Sequence, residues 1–335
     1  MSSTIKDVAK MAGVSISTVS KFINGGNVLE ENRQQIENAI AALNYQVNTV
    51  ARGMKTRKTM SVGVLIPSLS DYYGVSILSF IDQELYANGY SMIICDYNQG
   101  DPTGASDKIN FLINKQIDGI IMQPMNVRQE DIDRATKADV PIVFIDMEYP
   151  QVSCDSVTID NVDIAYRITK HLIDNGHKKI GFIGGTQGFN TTDDRVAGYR
   201  KAHDEAGLSV DPELLYLENV SEESGYTAMV RFMQKKDRPT AVFASGNDLT
   251  CGAVMYINEK KIVIPDELSF VGFENQTIAR VYNPTLTIGI QPIRKIGQTA
   301  VRLLLERMKE EYNGDPRNIR LKAVIDFGAS VKKIK

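Results

Sequence analysis

The 335-residue chain is poor in the residues that build metal sites and covalent frameworks, with only three cysteines and three histidines. Cys95, Cys154 and Cys251 stand far apart, with no CxxC pair and no neighbouring histidine. That excludes a disulfide framework and a structural zinc site and points to a reducing compartment. His171, His177 and His203 show neither metal-ligand spacing nor a nucleophile motif, so the chain reads as a non-enzyme with no cofactor. The run Gly181 to Gly188 lacks the GxGxxG order of a dinucleotide loop, and no Walker A lysine pattern occurs. No stretch approaches the roughly 18 apolar residues of a membrane span, and the polar N-terminus lacks the form of an export signal. A cytoplasmic chain without membrane contact is expected.

What is present suits packed cores: 43% of residues are hydrophobic, and the length fits two or three domains. Charge is unevenly spread. Residues 1–60 hold eight Lys and Arg against four Asp and Glu, whereas the remainder is acidic enough to bring the chain to −3. The basic end is the one suited to a polyanion.

That end also carries the clearest pattern. Ile5, Val8, Ala9 and Ala12 form one apolar stripe at helical spacing; Val14, Val19, Phe22 and Ile23 form a second, with Gly13 between them. Thr4 and Asp7 resemble a capping box, and Ser15 is placed to cap the second helix. Ile16, Ser17, Ser20 and Lys21 are left on the outward face, the face a helix presents to a major groove. A third helix follows with Ile36, Ile40 and Leu43. The chain then reads Asn44-Tyr45-Gln46-Val47-Asn48-Thr49-Val50-Ala51-Arg52-Gly53-Met54-Lys55.

These two segments together resemble the LacI/GalR family of bacterial transcription regulators. The resemblance implies that Ile16, Ser17 and Lys21 contact base edges. It makes residues 48–55 a hinge helix formed when two subunits meet on DNA, with Asn48 and Lys55 at the duplex and Met54 as the minor-groove wedge. Methionine is apolar and unbranched at Cβ, so it can intrude between base steps where relatives often carry leucine. Gly53 lowers helix stability by about 1 kcal/mol relative to alanine, which suits a segment that orders on binding. Relatives often place Ser where this chain has Leu29, so here Asn27 or a backbone group is expected to cap the third helix from Glu30 onward.

From Ser61 onward short β-branched runs alternate with amphipathic stretches. They fall at Val62–Ile66, Ser91–Cys95, Gly119–Met122, Ile142–Ile145 and Val157–Ile159, and again at Lys179–Ile183, Leu214–Leu217, Ala241–Ala244, Ser269–Phe273 and Leu286–Ile290. This predicts two parallel-sheet lobes, with helices such as Val75–Asn88 and Thr299–Tyr312 covering them. The resemblance implies a periplasmic-binding-protein-like α/β fold, a chain crossing three times between lobes, and a ligand cleft at the strand carboxyl ends. The expected division is a small all-α helix-turn-helix domain at 1–46, a hinge helix and linker at 47–60, and an effector-binding and dimerisation domain at 61–335. Its first lobe takes about 61–160 with part of 291–320, and its second about 161–290 with 321–335.

Within that frame the loop Pro67 to Gly74 supplies Ser68, Tyr72 and Tyr73, the last as a stacking surface. Arg195-Val196-Ala197-Gly198-Tyr199 matches the family's R-x-x-G-[FYW] segment, Phe243 to Asp248 its F-x-x-x-N-D segment, and Val271 to Asn275 its V-G-[FY]-D-[DN] segment with Glu274 in place of aspartate. Arg195, Asn247 and Glu274, with Asp146 and Gln291, are the expected effector ligands. Val220 stands where relatives often offer an aromatic platform. A sugar or sugar phosphate is the first expectation for the effector, with a nucleobase or a protein co-effector as alternatives. The chain is thus read as a homodimeric repressor of a palindromic operator. A solute-binding protein would share the two lobes but would need an export signal in place of the basic helix pair.

Overall fold

The structure is a computed structural model that describes residues 3–23, 25–45, 58–98, 100–149 and 152–334. Asn48, Met54 and Lys55 lie outside the described residues. The chain forms two compact units, Met1–Met60 and Ser61–Lys335.

In the first unit, the Asp7 carboxylate accepts from the Thr4 N–H at 2.8 Å and from its hydroxyl at 2.7 Å, which starts α1 (Ile5–Met11). Gly13 turns the chain with φ +65°, a left-handed conformation that glycine adopts without strain. Ser15 then accepts from Thr18 N–H at 3.1 Å and opens α2 (Ile16–Ile23). The third helix, α3 (Glu30–Leu43), has Leu29 at its N-cap and no side-chain cap. Val8, Val19 and Ile36 are fully buried where the three helices meet, each contributing about 1.5–3 kcal/mol by leaving water.

In the second unit two six-stranded sheets are built from βαβ crossovers. The first runs β11-β5-β4-β3-β1-β2, from β1 (Ser61–Ile66), β2 (Ser91–Asp96), β3 (Gly119–Met122), β4 (Ile142–Ile145), β5 (Asp155–Ile159) and β11 (Asn318–Leu321), all parallel. The second runs β12-β10-β9-β8-β6-β7, from β6 (Ile180–Gly184), β7 (Leu215–Leu217), β8 (Ala241–Ala244), β9 (Ser269–Phe273), β10 (Thr287–Ile290) and β12 (Val324–Asp326), with β12 antiparallel to β10. Helices α4 (Tyr72–Ala87), α5 (Gly104–Asn114), α6 (Gln129–Lys137) and α12 (Ile293–Met308) belong to the first lobe. Helices α7 (Asn161–Asp174), α8 (Asn190–Glu205), α9 (Glu222–Met233), α10 (Asn247–Glu259) and α11 (Gln276–Val281) belong to the second. The chain passes between lobes after β5, after β10 and after β11.

Two helices start earlier than periodicity predicts. Asp71 accepts from Gly74 N–H at 2.8 Å and caps α4 at Tyr72, and α12 begins at Ile293 directly behind Pro292. Strands β11 and β12 were not expected. Both are edge strands with alternating exposed positions and charged residues, so they lack the apolar run that marked the interior strands.

The R-x-x-G-[FYW] segment has a packing role. Gly198 lets α7 and α8 touch, because a Cβ there would lie 2.3 Å from the Val162 carbonyl oxygen. Tyr199 is buried, and its hydroxyl donates to the Ile180 carbonyl at 2.7 Å.

Candidate functional site

On the N-terminal unit, Ile16, Ser17 and Lys21 are exposed on α2 and Ser20 is half-buried beside them. Ser17, Thr18 and Lys21 share a concavity of about 470 Å³ with Asn27, Val28, Leu29 and Asn32 at the start of α3. The uncapped N–H groups of that helix start open beside a face bearing Lys21, an arrangement suited to a phosphate. Asn27, expected as one possible cap of the third helix, makes no side-chain cap there, and Asn32 escaped the sequence reading. Short polar residues before and within the first turn of an uncapped helix are the signal that marks them.

The second site is a cleft of about 360 Å³ between the lobes, at the carboxyl ends of both sheets. Ser68, Tyr73 and Asp146 line it from the first lobe, and Arg195, Asn247 and Glu274 from the second. Tyr72 is not among the lining residues. It is 37% exposed, because one helical step of about 100° separates it from the inward-facing Tyr73. Gln291, buried in the crossing after β10, does not line the cleft itself but donates to the Glu274 carboxylate.

Arg195 is held from three sides. Its Nε donates to Asn161 Oδ1 at 2.8 Å, its Nη1 donates to the Ser245 carbonyl, and its guanidinium lies 4.3 Å from the centre of the Phe273 ring. Asn247 Oδ1 accepts from Asn275 Nδ2 at 2.9 Å, and Asn247 Nδ2 donates to Asp248. On the facing lobe Asp146 accepts from Gln123 Nε2 at 2.8 Å.

Burial pushes the Asp146 carboxyl up to about 6 and the Glu274 carboxyl up to about 7; Arg195 opposes both shifts, Asp71 raises both, and Asp146 raises Glu274 further. Burial also raises Asp71, which lines the same cleft. The Tyr73 hydroxyl is lifted well above its usual range by burial and by the three carboxylates around it. Three buried polar atoms here have no hydrogen-bond partner: Tyr73 OH, Gln123 Oε1 and Gln291 Oε1. Gln123 was missed from the sequence although it directly follows β3, as Asp146 follows β4 and Glu274 follows β9. Asn161, Ser245 and Asp71 were also missed, being short polar residues with no motif of their own.

A helix-turn-helix unit joined to a two-lobed α/β unit with a polar interlobe cleft defines a ligand-responsive DNA-binding regulator. Residues 4–48 match the model of bacterial regulatory proteins of the lacI family, and residues 169–331 match the periplasmic binding protein-like domain. The chain is 34% identical over 333 residues, 99% of either chain, to the HTH-type transcriptional repressor PurR of Mannheimia succiniciproducens. It is 32% identical over 321 residues to the HTH-type transcriptional regulator RegA of Clostridium saccharobutylicum, covering 95% of this chain and 96% of that one. The fold is shared with the lac repressor dimer bound to operator and the anti-inducer ONPF, with a TM-score of 0.85 at 24% identity over 99% of this chain and 100% of that one. The chain belongs to the lacI family of bacterial regulatory proteins and is a DNA-binding transcriptional repressor.

Proposed function

We propose that this repressor binds a two-fold operator as a homodimer, and that a small uncharged molecule rich in N–H or O–H donors sets its affinity from the interlobe cleft. Ile16, Ser17, Ser20 and Lys21 read the major groove. Asn48, Met54 and Lys55 act at the minor groove. Asp146, Arg195, Asn247 and Glu274 hold the effector, with Gln291 behind Glu274.

The observation that carries the effector class is the imbalance of the cleft. Among the described residues Asp71, Asp146, Asp248 and Glu274 line it against one cation, Arg195, whose Nε and Nη1 already serve Asn161 and Ser245. The buried Oε1 of Gln123, which lines the cleft, remains without a donor. An anionic ligand would meet uncompensated carboxylates, which argues against the sugar phosphate expected from the sequence. A nucleobase comes first, since its edge offers planar N–H donors and the relatives at 34% identity carry the name PurR, which points to a purine. A neutral sugar stands second, favoured by Val220, which lines the cleft without offering a ring face.

The test selects an operator in vitro with the full chain, then titrates it with adenine, guanine, hypoxanthine, neutral sugars and a sugar phosphate. A nucleobase that changes operator affinity supports the reading, and a response to the sugar phosphate alone overturns the effector class. Arg195→Ala should keep operator binding and lose the response; an unchanged response removes Arg195 from the site.

A further inference from the structure

Two of the cleft residues in the second lobe, Arg195 and Glu274, are each hydrogen-bonded to a residue at a crossing between the lobes. Asn161 is the second residue past the end of β5, and Gln291 is the first past the end of β10. Asn161 Oδ1 accepts from Arg195 Nε at 2.8 Å, and Gln291 Nε2 donates to the Glu274 carboxylate. Asn161, Arg195 and Gln291 are all buried, so breaking either bond leaves a polar group there without a partner. Neither Asn161 nor Gln291 lines the cleft, so each acts through its partner and not on the ligand.

The crossings are themselves tied together. The Asp160 N–H donates at 2.9 Å to the carbonyl of Leu321, the last residue of β11, and Arg167 of α7 donates to the Ala323 carbonyl just beyond it. A shift of the first crossing is therefore also felt at the third. Asp160 caps α7 by accepting from Asp163 N–H at 3.0 Å, which fixes Asn161 as the first residue of that helix. At the second crossing the Ile293 N–H folds back onto the Gln291 carbonyl at 2.9 Å, directly at the start of α12 in the first lobe.

We infer, on the reading that Arg195 and Glu274 hold the effector, that Asn161 and Gln291 are the positioning residues that carry occupancy of the cleft to the crossings. Asn161 links Arg195 to the first and third crossings, and Gln291 links Glu274 to the second. Among the described residues Arg195 Nη2 makes no hydrogen bond, so it is the arm left for a ligand. The guanidinium is planar and rigid, so a pull on Nη2 is passed to Nε and from there to Asn161. Bonds with one charged member are short and strong, and they pass on a shift of this kind instead of absorbing it.

The full-length chain is titrated calorimetrically with adenine, guanine and hypoxanthine. Its affinity for the selected operator is then measured with and without a saturating amount of the tightest-binding base. Asn161→Leu and Gln291→Met keep the size of the side chain and remove the bond. Each should still bind the base, while the change in operator affinity that the base causes shrinks by about fivefold or more. Asn161→Asp keeps an acceptor for Arg195 Nε and should keep the response, a rescue that a purely structural role would not produce. Thermal unfolding checks that each variant is folded, and Asn161→Ala or Gln291→Leu replaces one that is not, under the same criteria. Retained base binding with a reduced response in both variants, and rescue by Asn161→Asp, supports the assignment. A full response in either variant, loss of base binding itself, or failure of the rescue overturns it and leaves the effector reading standing. A wild-type chain that responds to none of the three bases overturns the nucleobase reading, and this assignment with it.

Discussion

Asp146 and Glu274 are counterparts in the two lobes. Each directly follows a sheet strand, and each has a left-handed backbone, φ 70° for Asp146 and 71° for Glu274. The N–H of Asp146 donates to the Val157 carbonyl at 3.1 Å and that of Glu274 to the Gly289 carbonyl at 2.8 Å, in both cases on the adjacent strand. The next N–H then folds back, Met147 onto Ile145 at 2.8 Å and Asn275 onto Phe273 at 3.0 Å. Left-handed geometry costs a non-glycine residue of order 1–2 kcal/mol, and both lobes accept that cost to aim an acid into the cleft.

The same pair sets a pH dependence. Their pKa values are raised on folding, so the folded chain binds protons more tightly than the unfolded one. Stability should therefore fall as pH rises from about 4, the unfolded range, through 6 to 7, and level off above. At pH 8 Asp146→Asn and Glu274→Gln should each stabilise the ligand-free protein by about 2 kcal/mol, with little effect at pH 4. Urea unfolding at the two pH values measures this; equal effects at both would remove the titration account.

The base reading and wedge insertion proposed for Lys21 and Met54 should separate by mutation. Lys21→Ala should relax discrimination at one operator position by about 1–3 kcal/mol while leaving binding to unrelated DNA nearly intact apart from a small loss of charge. Met54→Gly should weaken the selected operator much more than unrelated DNA, because unstacking is tied to the specific bend. Fluorescence anisotropy on both DNAs at fixed salt decides; equal loss on the two would exclude the wedge role.

The contact of α9 and α10 depends on glycine. A Cβ at Gly252 would lie 1.8 Å from the Glu222 carbonyl oxygen, and one at Gly225 would lie 2.3 Å from that of Leu249. Backbone cannot yield as a side chain does, so Gly252→Ala should destabilise the chain by about 3 kcal/mol or more. A denaturation midpoint within error of wild type would show that the helices can part without cost.

The interior of the fold was legible because its physics is written locally. β3, β4, β8 and β9 are short apolar runs buried along their whole length, so their bounds follow from hydropathy. The edge strands β11 and β12 are stabilised by pairing with a neighbour and carry no such run. At the cleft, charged residues within motifs were visible, whereas Gln123 and Asn161 act only through partners 23 and 34 residues distant. Tyr72 and Tyr73 are indistinguishable by type, and only the start of α4 at Asp71 decides which one faces inward.

Because the acids of the cleft are divided between the lobes, occupancy and response are separable properties. A compound that satisfies Asp146 and Gln123 alone would bind one lobe equally well in every lobe arrangement, and a ligand with equal affinity for two states shifts neither. Such a molecule would be a neutral antagonist, silent when it binds alone and, where it displaces an effector, returning the repressor to its ligand-free equilibrium. A chemical screen scored by binding would collect antagonists and agonists together, and only contact with Arg195 or Glu274 as well would sort them.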